Sequence, residues 1–197
     1  MRACLLLLVV AALVAAFFVG QPAQADPVPA TDPGVVTPTE SYLTTADTAA
    51  IRGILAEYRS PLPWWTISAF AASHPDFDIA GYLAVVWAES SLGRGCDYKC
   101  NPGSIKGGPV GRIWRDLRIG VSPAGYNVYC NMYEGQRAAI RLIYDAGYNA
   151  RLAAHDWWGF ANRYYGRYVP GINGYVANLK AAHTRLVKMA AAYGAVW

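Results

Sequence analysis

From residue 47 onward the chain alternates apolar stripes with short polar or proline-containing breaks, and the stripes recur at helical spacing. Ile51, Ile54, Leu55 and Tyr58 fall three to four residues apart, which places them on one helix face. Asp47 stands where a capping carboxylate starts such a helix, and Ser60-Pro61-Leu62-Pro63 stops it. A second short helix is predicted over Trp64 to Ser73, before the His74-Pro75-Asp76 break. The segment Ile79 to Ala88 reads IAGYLAVVWA. A helix that is apolar all round must be buried on every side, so this is the predicted central helix. Glu89, Ser90 and Ser91 follow it, and Gly93 and Gly95 are positioned to end it.

Helical patterning returns at Asn131, whose spacing to Glu134 has the form of a capping box, and continues through Ala146. Another helix is expected near Trp157 to Tyr165. A last one runs from about Gly174 to Tyr193 with Leu179, His183, Leu186, Val187 and Ala190 on its inner face. Residues 96 to 130 hold nine Gly or Pro residues and read as an irregular lobe with room for a short hairpin. The fold class expected is therefore mostly α: a helical domain around one buried central helix, with a small irregular or β-hairpin lobe.

The N-terminal pattern is different. Arg2 precedes an unbroken apolar stretch from Ala3 to Val19, and Ala23-Gln24-Ala25 offers a small-x-small cleavage site. Residues 1–25 are expected to be a signal peptide, since the apolar run is shorter than the ~20 residues that span a bilayer. Residues 26–46, rich in Pro and Thr, are expected to be a flexible spacer, and 47–197 the folded domain. The mature protein would then be secreted or associated with the cell envelope, with no stable membrane insertion after cleavage.

Composition narrows the classes. With 54% hydrophobic and 15% charged residues the chain is neither disordered nor a coiled coil. Seven Trp and 14 Tyr are many for so short a chain, and such side chains either fill a core or line a groove where sugars, bases or peptides stack; composition alone does not choose between the two. From residue 48 there are 16 basic residues against 9 acidic, a formal balance of +7, which suits a polyanionic surface such as a bacterial wall. The charges are scattered singly and form no basic helix face, which argues against nucleic acid. Three cysteines follow the signal segment: Cys96, Cys100 and Cys130. In an oxidising compartment the expectation is one disulfide and one free thiol, with the pairing open. Neither their spacing nor that of the histidines resembles a zinc motif, so no metal is implied. His74, His155 and His183 sit in no motif that would present an activated serine.

Glu89 is the residue that helix stability does not explain. It lies in the last turn of an otherwise uncharged helix, at the negative end of the dipole and next to apolar packing, both of which disfavour a carboxylate. Burial of that kind raises a carboxyl pKa, and an acid still protonated near neutral pH is what cleavage of a glycosidic bond requires. Glu134, by contrast, is accounted for by capping.

Glu89-Ser90-Ser91-Leu92-Gly93, closing an apolar helix, resembles the E-S-S-x-G signature of lysozyme-like peptidoglycan hydrolases, the group of lytic transglycosylases and bacterial endo-β-N-acetylglucosaminidases. Ser60-Pro61-Leu62 and Asp78 resemble two landmarks ahead of that helix. Asn101-Pro102-Gly103-Ser104-Ile105-Lys106-Gly107 is similar to the N-x-F-G/N-I-K-G loop that borders the cleft in that family, and Tyr133 to Leu152 to its following helix. Ala161-Asn162-Arg163-Tyr164-Tyr165-Gly166 is similar to a late A-x-x-Y-x-G element. The resemblance spans roughly residues 50 to 190. Gly103 and Ser104 depart from it, as does the absence of a G-L-M-Q motif.

The resemblance implies an α+β lysozyme-like fold, Glu89 as catalytic acid, Tyr164 facing it, and Asn101, Ile105 and Lys106 at the substrate cleft. The substrate it implies is peptidoglycan or a related amino-sugar polymer, cleaved at β-1,4 bonds without a cofactor, by a monomer. A non-catalytic glycan-binding module of the same fold is the alternative. A second carboxylate would have to come from Asp97 or Asp116. Trp87, Tyr98, Trp157 and Trp158 are candidates for stacking on sugar rings, and Ser90 and Ser91 for capping the helix end or contacting N-acetyl groups.

Overall fold

The computed structural model describes residues 43–96, 99–108, 111–164 and 170–197. The expected signal peptide, and the spacer up to residue 42, lie outside the described residues, as do Asp97 and Tyr98.

Helix α1 (Thr45–Glu57) opens three residues before the start expected with Asp47 as its cap. Thr44 is the cap: its hydroxyl accepts the Asp47 N–H at 3.0 Å while the Asp47 carboxylate accepts the Thr44 N–H at 2.9 Å. This reciprocal pair satisfies two backbone donors that the first turn otherwise leaves unbonded. Helix α2 (Trp64–Ser73) begins directly after Pro63, and α3 (Ile79–Ser90) after Asp78, whose carboxylate accepts the Gly81 N–H at 2.8 Å. Tyr82, Leu83, Ala84, Val85 and Val86 have no exposure at all, so α3 is the buried central helix that its composition implied.

The end of α3 differs from a glycine stop. Ser91 and Leu92 enter the left-handed region before Gly93 does, with φ of 51°, 59° and 83°. The Leu92 N–H returns to the Val86 carbonyl at 3.3 Å, closing the last turn.

The lobe that follows contains one turn of helix, α4 (Ile113–Asp116), and two antiparallel strands, β1 (Arg118–Val121) and β2 (Asn127–Tyr129). Arg118 pairs with Tyr129, Gly120 with Val128 and Val121 with Asn127, with an irregularity between Arg118 and Gly120. An isolated bridge from Lys106 to Tyr126 ties the preceding loop to the hairpin. Four helices complete the chain: α5 (Met132–Asp145), α6 (Asn149–Ala153), α7 (Trp157–Tyr164) and α8 (Ile172–Ala191). Two short helices, the four-residue α4 and the five-residue α6, have no counterpart in the sequence pattern.

Helix α3 packs against α6 and α8, and α8 also against α1 and α7. The inner face of α8 is Val176, Leu179, Ala182, Leu186 and Ala190; His183 and Val187, expected there, lie half-buried at its margins. Ile51, Ile54, Ile67, Ile140, Ile143 and Phe160 fill the space between the other helices. Cys96 is buried, Cys100 is a half-buried and Cys130 an exposed free thiol. Among the described residues no helix is long and apolar enough to cross a membrane. The architecture is mostly helical with a small two-stranded sheet, and its one buried helix ends at Glu89 and Ser90.

Candidate active site

The last turn of α3 delivers Glu89 to the wall of a cavity of ≈ 570 Å³ between the helices and the hairpin lobe. Ser104, Ile105 and Lys106 form one side of it, Trp114 and Tyr126 the floor toward the hairpin, and Leu142, Tyr148 and Tyr164 the helical side. Burial pushes the Glu89 carboxyl above its ordinary value of 4.5; hydrogen bonds from Tyr175 and Ser104 oppose that rise without cancelling it. The Tyr175 hydroxyl donates to Glu89 Oε1 at 2.6 Å. The carboxyl is thus fixed in orientation and biased toward its neutral, proton-carrying form.

The sequence motifs are brought to this place, but several do different work from that expected. Tyr164 does line the cavity, yet its hydroxyl donates to the Gly103 carbonyl, and the phenol that holds Glu89 is Tyr175. Burial, then the neighbouring Glu89, holds the Tyr164 pKa well above that of a free phenol, so it remains a neutral donor. A Cβ on Gly103 would sit 3.2 Å from Ala139 Cβ and 3.3 Å from the Tyr164 hydroxyl. Even a Cβ at this position is in tight contact, so a larger side chain there needs Ala139 or Tyr164 to give way.

Ser90 is buried and structural: its hydroxyl donates to the Pro102 carbonyl at 2.8 Å and accepts the Gly93 N–H at 2.9 Å, clamping the helix end to the loop. Ser91 is exposed and serves as the left-handed cap of α3. Asn101 is also buried; its amide donates to the Ile105 and Asn127 carbonyls at 2.9 Å each and accepts the Ile105 N–H at 2.9 Å. It holds the loop in shape, whereas Ile105 and Lys106 themselves face the cavity.

Three of the four expected stacking residues lie elsewhere, and the fourth, Tyr98, is outside the described residues. Trp87 packs edge-on against Tyr58 at 4.5 Å, under the Arg185 guanidinium. Trp157 is buried beside His155 and His183. Trp158 is 46% exposed but does not line the cavity. The aromatic rings that do line it are Trp114, Tyr126, Tyr148 and Tyr164.

Asp116 is exposed, and its carboxylate accepts the Gly111 N–H at 3.3 Å, not a bond from Arg112 or Arg115. Among the described residues Glu89 is the one carboxylate in the cavity wall. Glu134 pairs with Arg137 at 3.0 Å while Asn131 caps α5, so only half of the expected capping box is formed. Among the described residues no group of three His, Cys, Asp or Glu is placed to hold a metal ion.

Tyr175 carried no motif. Its one sequence signal was register: with Leu179, Ala182 and Leu186 it follows the i, i+4, i+7, i+11 stripe that α8 turns inward. Set beside family models, curated proteins and solved structures, the chain matches none of them.

Proposed function

We propose that this protein is an exported, lysozyme-like glycosidase or lytic transglycosylase that cleaves β-1,4 bonds between N-acetylated amino sugars, with Glu89 as its general acid. The observation that carries the reading is a carboxyl held in a concave site at the tip of a buried helix, its pKa raised by burial and its orientation set by a phenol. The resemblance of Glu89-Ser90-Ser91-Leu92-Gly93 and of the 101–107 loop to the peptidoglycan hydrolases supplies the substrate class.

The chemistry follows from the arrangement. Glu89 transfers its proton to the bridging oxygen as the C–O bond breaks and positive charge builds on the sugar ring. With no second carboxylate among the described wall residues, the conjugate base of Glu89 then takes a proton from water or from a hydroxyl of the same sugar, which attacks the anomeric carbon. The first outcome is hydrolysis; the second leaves an anhydro end. The groove's tyrosines supply hydroxyls and ring faces to the sugars.

The test is incubation of the purified protein with insoluble peptidoglycan. Muropeptides should appear in solution, and Glu89→Gln should abolish their release while leaving sedimentation with the wall intact. Products lighter by one water identify transglycosylation. Wall binding by the unaltered protein without any release would instead establish a glycan-binding module, and release undiminished by Glu89→Gln would remove this residue from the mechanism.

A further inference from the structure

A trough of ≈ 410 Å³ runs between α2 and α5, within the span of about 300–1,000 Å³ usual for small-ligand sites. It shares no lining residue with the Glu89 cavity. Helix α5 stands between the two, with Leu142 on the cavity side and Arg137, Ile140 and Arg141 on the trough side. Two helical stripes build it. Trp65, Ala69 and Ser73 recur every fourth residue along α2, and Tyr133, Arg137 and Arg141 do so along α5, which lines up each set on one helix face. Ala69 is exposed and small, so a hollow is left between the larger side chains. At its rim Trp65 is 49% exposed, and its ring lies 5.0 Å from that of Tyr133 at 30°. The pair presents apolar ring surface that the fold leaves half open.

The charges in this wall are balanced. Arg137 pairs with Glu134 and Arg141 with Asp145, each at 3.0 Å. Each guanidinium also lies over a ring, Arg137 5.3 Å from the Tyr133 centroid and Arg141 5.8 Å from that of Phe70. These contacts hold the two groups in place and offset their charge at the same time. A guanidinium carries five N–H donors, and an ion pair engages only the edge turned to its carboxylate, so donors remain for a ligand. The other polar groups of the wall are occupied: the Thr66 hydroxyl donates to the Pro63 carbonyl at 2.6 Å and that of Ser73 to the Phe70 carbonyl at 3.0 Å. His74 is stacked on Phe70 at 3.8 Å.

Ring faces and fixed donors without net charge suit an uncharged ligand rich in oxygen. Pyranose units have that make-up, with C–H faces that lie on aromatic rings and oxygens that accept from N–H. An anion would compete with Glu134 and Asp145 for the same guanidiniums, and a purely apolar ligand would cover their donors without bonding them.

We propose that the α2–α5 trough is a second saccharide-binding site, distinct from the Glu89 cavity, which seats an uncharged oligosaccharide with one ring against Trp65 and Tyr133 and its oxygens toward Arg137 and Arg141. The two places have no residue in common, so this assignment does not depend on the glycosidase reading.

Indole N–H resonances of protein carrying isotope-labelled tryptophan report the two places separately, Trp65 for the trough and Trp114 for the Glu89 cavity. Each is assigned by its loss in Trp65→Phe or Trp114→Phe. The probes are the β-1,4-linked hexasaccharides of glucose and of N-acetylglucosamine, added to Glu89→Gln protein so that neither is consumed. At least one should shift the Trp65 resonance saturably, with an affinity that holds as salt is raised because the ligand carries no charge. Ala69→Leu fills the hollow from an exposed position, so it should melt with the parent and weaken this binding about tenfold or more while leaving any Trp114 response as it was. No Trp65 shift with either sugar, a shift that Ala69→Leu leaves intact, or an affinity that collapses with salt overturns the inference. A Trp114 shift without one at Trp65 does so while the Glu89 reading stands. A Trp65 shift without one at Trp114 supports the trough and counts against a glycan cleft at Glu89.

Discussion

The Glu89–Tyr175 pair sets two opposing demands on one proton. Burial disfavours the carboxylate, while the phenol hydrogen bond favours it. Tyr175→Phe removes only the second, so the carboxyl pKa should rise further. In the mechanism proposed above cleavage needs the protonated acid, so the alkaline limb of the kcat/KM profile should move to higher pH, although kcat falls because the carboxyl is no longer aimed. An unmoved alkaline limb in Tyr175→Phe would mean that the phenol does not touch the titrating group. The same burial has a stability consequence. A carboxyl whose pKa is raised by folding contributes most below its unfolded value, and that contribution is lost as pH climbs from about 4.5 through the raised folded value. Glu89→Gln should therefore gain stability relative to the parent at neutral pH, with the gap closing near pH 4 in urea or thermal titrations.

Helices and the loop that joins them decide whether that proton is presented. The Ser90 hydroxyl has three partners at the α3 terminus, the Val86 and Pro102 carbonyls and the Gly93 N–H, and Ser90→Ala leaves the Pro102 carbonyl and the Gly93 N–H without this bond in a buried place. The expected loss is about 1–3 kcal/mol, read as a fall in denaturation midpoint, with the 101–107 loop loosened and turnover reduced. Gly103→Phe restores the aromatic residue of the family pattern, yet it would drive a ring into Ala139 and the Tyr164 hydroxyl. Its overpacking should cost about 1–3 kcal/mol, and recovery of a better enzyme by this change would contradict the packing described. Gly135 is fixed for a related reason: a Cβ there would meet the Cys100 carbonyl at 1.6 Å, since α5 and the cysteine-containing loop touch backbone to backbone. Elements with a strong apolar period, α1 to α3 and α5, were legible in the sequence to within a few residues. The short helix α6 was not, because five residues offer too little period to read. Thr44 was missed as a cap because the Asp three residues on carried the more conspicuous charge. At the end of α3, glycines attracted attention that belonged to Ser91 and Leu92.

At the scale of the molecule, the candidate site draws on parts far apart in the chain, and this limits what the sequence could disclose. Glu89 was conspicuous on its own as an acid at the end of an apolar helix. Its neighbours were conspicuous only as members of short motifs, and motif order does not say which of two tyrosines reaches the carboxyl. The abundance of aromatics was also misleading, since Trp87 and Trp157 serve in packing and Trp158 lies exposed away from the cavity, while Tyr126, Tyr148 and Trp114 line the groove. The two ends of the described domain are tied together: the Trp197 indole N–H donates to Asp47 Oδ1 at 2.9 Å, and Ala195 is buried. Removal of residues 195–197 should lower the melting temperature by several degrees while sparing the Glu89 cavity, in which none of them takes part.

Glu89 and Tyr175 are 86 residues apart in sequence. A nascent chain that has emerged only as far as α7 already contains the acid but not the phenol that steadies it. The site as described, an acid steadied by a phenol, is therefore complete only once the closing helix has formed, late in synthesis.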